Sequence, residues 1–145
     1  MRAWIIVADS SRSRVFSMKD IRSPLEEIKD WVHPASRLHE QELGSDRQGR
    51  TFDSTGKGRH AKESEVGIKK QEAINFAREI AHYLDGECNQ NKFEKLVLIA
   101  PPEFLGILRK ELGDNTRQRI TREISKDLTQ HAENHIRQEV TTLPD

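Results

Sequence analysis

An α/β fold is predicted, with a mixed five-stranded sheet in the order 3-2-1-4-5, its second strand antiparallel, and flanking helices. Three observations predict it. Residues 3–8 and 96–100 are continuously apolar and rich in Ile, Val and Leu, the pattern of strands covered on both faces. A short polar turn, Asp9-Ser10-Ser11, links the first of these to another strand-like segment. Later a helix separates the early strands from the second apolar one, so a meander is followed by a crossover. The chain has 145 residues, the size of one ordinary domain, and 1–145 is expected to form a single one.

The elements follow in order. Ala3 to Ala8 is a central strand. Arg12 to Met18, carrying Val15 and Phe16, is its antiparallel neighbour across the tight turn. Leu25 to His33 is a third strand, bracketed by Pro24 and Pro34. It is charged and alternates poorly, which suits an edge. From about 34 to 67 no period is visible, and Gly, Ser, Arg and Asp are frequent. A long polar Gly/Arg-rich loop is expected there. Ala73, Phe76, Ala77, Ile80, Ala81 and Leu84 fall at helical spacing, so a helix is expected over 68–84, ended by Asp85-Gly86. Leu96 to Ala100 is the second central strand. Pro101-Pro102 opens a helix with Phe104, Leu105, Leu108 and Leu112 on its apolar face, and Gly113 closes it. A short strand is expected at 119–125. Asp127 with Gln130 reads as a capping pair for a helix over 128–141.

Composition narrows the function classes. No apolar run approaches the ~20 residues that a membrane span needs. One Arg precedes the first apolar run and Asp9 ends it, so no secretory signal is expected. Cys88 is the single cysteine, which excludes an internal disulfide and fits a reducing cytoplasm, the expected location. Lys and Arg number 24, as do Asp and Glu, so overall charge selects no partner.

Local charge is more informative. Between Arg47 and Lys62 stand five cations (Arg47, Arg50, Lys57, Arg59, Lys62) against one acid, Asp53. Gly49, Gly56 and Gly58 let the backbone there approach a ligand closely. Such a segment suits a phosphate backbone, and a merely solvated loop is the competing reading. Arg109, Lys110, Arg117, Arg119, Arg122 and Lys126 make a second basic group, diluted by Glu111, Asp114 and Glu123. Ala100 to Phe104 lies at the carboxyl end of a central strand, where open α/β sheets bind ligands.

Two motifs are weighed and set aside. His131-Ala132-Glu133-Asn134-His135 places two histidines on one helix face, but the zinc-hydrolase helix needs Glu directly after the first His. Thr55-Gly56-Lys57-Gly58 resembles part of a P-loop but lacks its first Gly and its Ser or Thr after Lys. No metal or cofactor is expected.

Trp4 to Phe16, Ser45-Asp46-Arg47-Gln48-Gly49-Arg50, Ala100 to Arg109 and Lys126-Asp127-Leu128-Thr129 together resemble the bacterial host attachment proteins. Those proteins are described as required for attachment to host cells. They are grouped with bacterial relatives of the archaeal and eukaryotic peptide-chain release factor. The resemblance implies the fold of the release factor's middle domain, a ribonuclease-H-like mixed sheet of five strands. In the release factor a Gly-Gly-Gln loop enters the peptidyl-transferase centre, and the residues before it read Gly-Arg-Gly. Gly56-Lys57-Gly58 falls in the similar place here, but Arg59-His60 stands where Gly-Gln would follow. That departure removes the Gly-Gln pair that peptidyl-tRNA hydrolysis by the same route uses. His60 is the candidate for a general base.

Together these readings lead to an expectation of tRNA or ribosome binding. Gly56, Lys57, Gly58, Arg59 and His60 would form the tip, and Arg47 and Arg50 would meet phosphates. The alternative is a non-catalytic factor that acts in host attachment through protein contacts.

Overall fold

The computed structural model describes residues 2–34 and 57–142, without the side chains of 57–66. Five strands form one sheet: β1 (Ala3–Ala8), β2 (Arg12–Met18), β3 (Glu26–Val32), β4 (Lys95–Ala100) and β5 (Ile120–Ser125). Their order is β3-β2-β1-β4-β5, as the sequence predicts. β2 runs antiparallel to β1 and to β3, whereas β4 is parallel to β1 and β5 to β4. Among the described residues the helices are α1 (Lys57–Asn89), α2 (Pro102–Glu111), α3 (Asp114–Gln118) and α4 (Glu133–Thr141).

The continuous apolar runs explain the centre. Every residue of β1 is buried, because successive side chains point to opposite faces and both faces are covered. Trp4, Ile6, Leu96 and Leu98 pack under Phe76, Ile80 and Leu84 of α1 and Phe104 and Leu108 of α2. Ile5, Val7, Val97 and Ile99 pack on the other face with Ile124, Leu128 and Ile136. β3, with most of its residues exposed, is the edge that its charge predicts.

Three boundaries depart from the sequence expectations. α1 starts at Lys57 rather than near Ile68, so Lys57, Gly58, Arg59 and His60 open a helix instead of forming a loop tip. The apolar stripe that reveals the helix begins only at Ala73, its first residue of the buried series. Once the packed half has formed, each further residue adds a backbone hydrogen bond without a new nucleation cost, and Ala, Lys, Arg and Glu extend it readily.

α1 also continues past Asp85-Gly86 to Asn89. Cys88 is buried in the core and holds the extra turn down. The stop is Asn91, at φ 57°. Lys92 N donates to Glu87 O at 3.1 Å and Asn91 N to Cys88 O at 2.9 Å, the paired bonds of a left-handed helix end. Asp85 does not end the helix but anchors a later segment. Its carboxylate accepts from Gly113 N at 3.1 Å and from the Thr116 hydroxyl, and so fixes the start of α3. A Cβ on Gly113 would lie 3.2 Å from Asp85 Oδ2, so glycine suits that close approach.

The last helix starts at Glu133, not at Leu128. Asp127 bonds forward to Thr129 N at 3.2 Å and closes a turn. Leu128 and Thr129 are then buried beneath the sheet rather than wound into a helix.

Candidate functional site

β1, β4 and β5 are parallel, so their carboxyl ends lie at one edge of the sheet. Each delivers a polar segment there. After β1 comes Asp9-Ser10-Ser11. Asp9 Oδ1 accepts from Ser11 N at 2.8 Å, Ser11 Oγ at 3.0 Å and Arg12 N at 2.8 Å, which holds the turn closed. After β4 comes Pro101, and the first turn of α2 carries Glu103. After β5 comes Asp127.

The first and last of these segments clasp each other. The Thr129 hydroxyl lies 3.2 Å from Asp9 Oδ2 and 2.9 Å from Asp127 Oδ1. It carries one proton, so two carboxylates share one donor. Below them Arg14 is buried in the sheet at 8% exposure. It donates to Glu27 Oε2 at 2.9 Å and Oε1 at 3.2 Å, to Thr129 O at 3.2 Å and to His131 O at 2.7 Å. Arg12 adds a bond to Thr129 O at 3.3 Å and a two-pronged pair with Asp30, at 3.1 and 2.7 Å. Its hydrogen bonds hold the Asp30 carboxyl below the usual range, and Asp30 in turn raises the guanidinium.

Above this clasp, between α1 and α2, lies a crevice of ≈ 500 Å³. Lys69 and Lys70 of α1 supply cations to it, and Asp9, Glu103 and Asp127 supply carboxylates. Ala73, Phe104 and Ile107 give it apolar walls, with Ser10, Ser11 and Pro101 at the sheet edge. Among the described residues no group of three His, Cys, Asp or Glu side chains is arranged to hold a metal ion.

A second cluster ties α1 to β3. His33 follows β3, with Nε2 at 2.9 Å from Glu72 Oε2 and Nδ1 at 3.1 Å from Glu79 Oε2. Its ring stacks on Phe76, with centroids 5.0 Å apart. Both nitrogens can donate to these carboxylates only when the ring is the imidazolium.

The sequence-predicted residues fall as follows. Of Ala100 to Phe104, Pro101, Glu103 and Phe104 line the crevice, where the carboxyl-end rule puts them. Lys57, Gly58, Arg59 and His60 are the opening of α1, whose later residues Lys69 and Lys70 reach the crevice. Arg47, Arg50 and Gly56 lie outside the described residues. The rings of His131 and His135 lie 4.6 Å apart between centroids, tilted by 30°, and His135 sits 3.9 Å from Glu139. Lys69 escapes a reading by motif. It does carry a signal: it is an exposed cation one turn before Ala73, at the i, i+4 spacing where an apolar residue is the norm.

Residues 4–140 match the family model described as "Protein required for attachment to host cells". An uncharacterized protein of Rickettsia prowazekii (strain Madrid E) is 37% identical over 71 residues, which cover 48% of this chain and 47% of that protein. The chain thus matches about half the length of this curated relative. Among solved structures, the Aquifex aeolicus Ppx/GppA phosphatase (type II variant) aligns with 17% identity and a TM-score of 0.43, over 86% of this chain and 35% of that one. Among the described residues no helix is long and apolar enough to cross a membrane.

Proposed function

The chain belongs to the family of proteins required for attachment to host cells, and from that premise we propose that it works as an RNA-binding module. The RNA is tRNA or ribosomal RNA, and attachment then depends on it through translation or ribosome rescue. One observation carries the reading. The basic residues Lys57, Arg59 and Lys62 and the crevice residues Lys69 and Lys70 stand on a single continuous helix, α1, of 33 residues. Lys57, Arg59, Lys62, Lys69 and Lys70 all stand on it, against Glu63 and Glu65. At ~1.5 Å per residue the stretch 57–70 spans about 20 Å, comparable with about six phosphates of a helical strand at ~3.4 Å each.

Rigidity favours this arrangement. Cations on a preformed helix lose less freedom on binding than cations on a free loop. The α1 core half, anchored by Phe76, Ile80 and Leu84, keeps the basic half in a fixed direction. The resemblance to the release factor's middle domain belongs to the same proposal, and the strand order supports it. The proposal is one of binding and not of ester hydrolysis, because Gly58-Arg59-His60 stands where Gly-Gly-Gln would.

Cosedimentation with ribosomes, and anisotropy with labelled tRNA, across a salt series tests it. Affinity falls steeply with salt, and Lys57→Ala and Arg59→Ala each reduce the logarithmic salt slope by about 1. Salt-independent association, or capture of a defined protein partner with no RNA bound, overturns the proposal in favour of a protein-contact factor.

A further inference from the structure

The crevice between α1 and α2 has a polarity that phosphate attraction alone does not use. Its ≈ 500 Å³ lies within the ~300–1,000 Å³ range of small-ligand pockets. Lys69 and Lys70 come from α1, whereas Asp9, Glu103 and Asp127 come from three other segments. A bare polyanion gains from the first set and is repelled by the second. A ligand anionic at one end and rich in O–H or N–H donors at the other gains from both.

Two of the carboxylates are also held in position. Asp9 is locked by its turn, and Asp127 by Thr129. The shared Thr129 hydroxyl leaves acceptor capacity on this pair, since one proton serves two carboxylates. Ile107 and Phe104 offer apolar surface between the two polar sets, with Pro101 beside them.

The geometry points to this crevice as a site for one ribonucleotide. Its phosphate lies toward Lys69 and Lys70, its ribose hydroxyls donate to the carboxylates of Asp127 and Glu103, and its base lies against Ile107 and Pro101. The shared chemistry is a ribonucleoside phosphate, either free or at an unpaired position of a strand. The strand source rests on the RNA-binding reading above, whereas the free source does not. Carboxylate acceptors for the 2′-hydroxyl make the site prefer ribose to deoxyribose.

The full chain is titrated calorimetrically with the four ribonucleoside 5′-monophosphates and their 2′-deoxy counterparts. In parallel, a labelled unpaired RNA of about 12 nucleotides is followed by anisotropy, with the monophosphates as competitors. At least one ribonucleotide is expected to bind. Its deoxy counterpart is about tenfold weaker, the loss of one hydrogen bond to a charged acceptor. Ile107→Glu and Lys70→Glu each weaken binding by about tenfold or more, by placing a negative charge beside the ligand. Lys69→Glu, at an exposed position, serves if Ile107→Glu fails to fold.

No titration by any monophosphate, equal affinity for ribose and deoxyribose, or unchanged affinity in the variants overturns the site. If the RNA binds while the monophosphates neither titrate nor compete, this inference fails and the RNA-binding reading stands. If monophosphates titrate and the RNA does not bind, the crevice stands as a free-nucleotide site and the RNA-binding reading fails. Competition between the two places a strand nucleotide in the crevice.

Discussion

Replacing Arg14 with Met removes the charge that joins β2 to the segment after β5 while keeping much of the side-chain volume. The guanidinium makes four hydrogen bonds from a buried position. Their losses differ. Glu27 keeps 23% side-chain exposure, so water recovers part of its solvation. His131 is an exposed residue, and water replaces its lost donor as well. Thr129 O is buried but retains Arg12 as a second donor, at 3.3 Å. The residual cost is that of a mostly buried charged pair with partial rescue, about 3 kcal/mol, at the low end of the ~3–5 kcal/mol for breaking a buried pair. Urea unfolding followed by circular dichroism measures it. Arg12→Ala should cost about 1 kcal/mol or less, because its Asp30 pair is exposed. The double variant should exceed the sum of the two, since Thr129 O then loses its last donor. An Arg14→Met variant within about 0.5 kcal/mol of the parent, or strict additivity with Arg12→Ala, refutes the clasp as a stabilising contact.

Other outcomes follow from the same contacts. Asp30 has its carboxyl lowered by Arg12, so its contribution is present above its ordinary value near pH ~4 and is lost as pH falls through the depressed one. The stability gap between the parent and Asp30→Asn should therefore be about 1 kcal/mol or less at pH 7 and should narrow as pH falls below the ordinary carboxylate range, as read from urea curves at each pH. Asp85→Ala should cost about 2 kcal/mol by freeing Gly113 N and the Thr116 hydroxyl, and a thermal-melting shift reports it. His33→Gln should cost about 1–2 kcal/mol, because one amide cannot keep the contacts to Glu72 and Glu79 on opposite sides of the ring and loses the stack on Phe76. Native-state hydrogen exchange should then rise in the turn of α1 around Glu72, and unchanged protection there argues against His33 as its anchor.

The sheet was legible because its information is local. Ala3 to Ala8 and Leu96 to Ala100 are apolar at every position, and no other element of this size needs that pattern. The Asp9-Ser10-Ser11 turn joins β1 to β2 without room for a crossover, which forces them antiparallel. Strand order then follows from few alternatives. Helix ends were less legible. Gly86 looks like a stop, yet Cys88 beyond it is buried, and only the packed core reveals which of the two prevails. The basic half of α1 carries no apolar stripe, so periodicity is blind to it.

What the residues determined unaided was the list of strands, their order and the edge at which a crevice opens. The tertiary structure alone decided which side chains meet there. Thr129 reaches Asp9 across 120 positions of sequence, and Arg14 reaches His131 across 117. Nothing within either segment predicts the other, because each bond depends on where two parallel crossovers bring distant strand ends. A side chain's local preference is set by neighbours a few residues away, whereas its partner in a site is set by chain closure over the whole sheet.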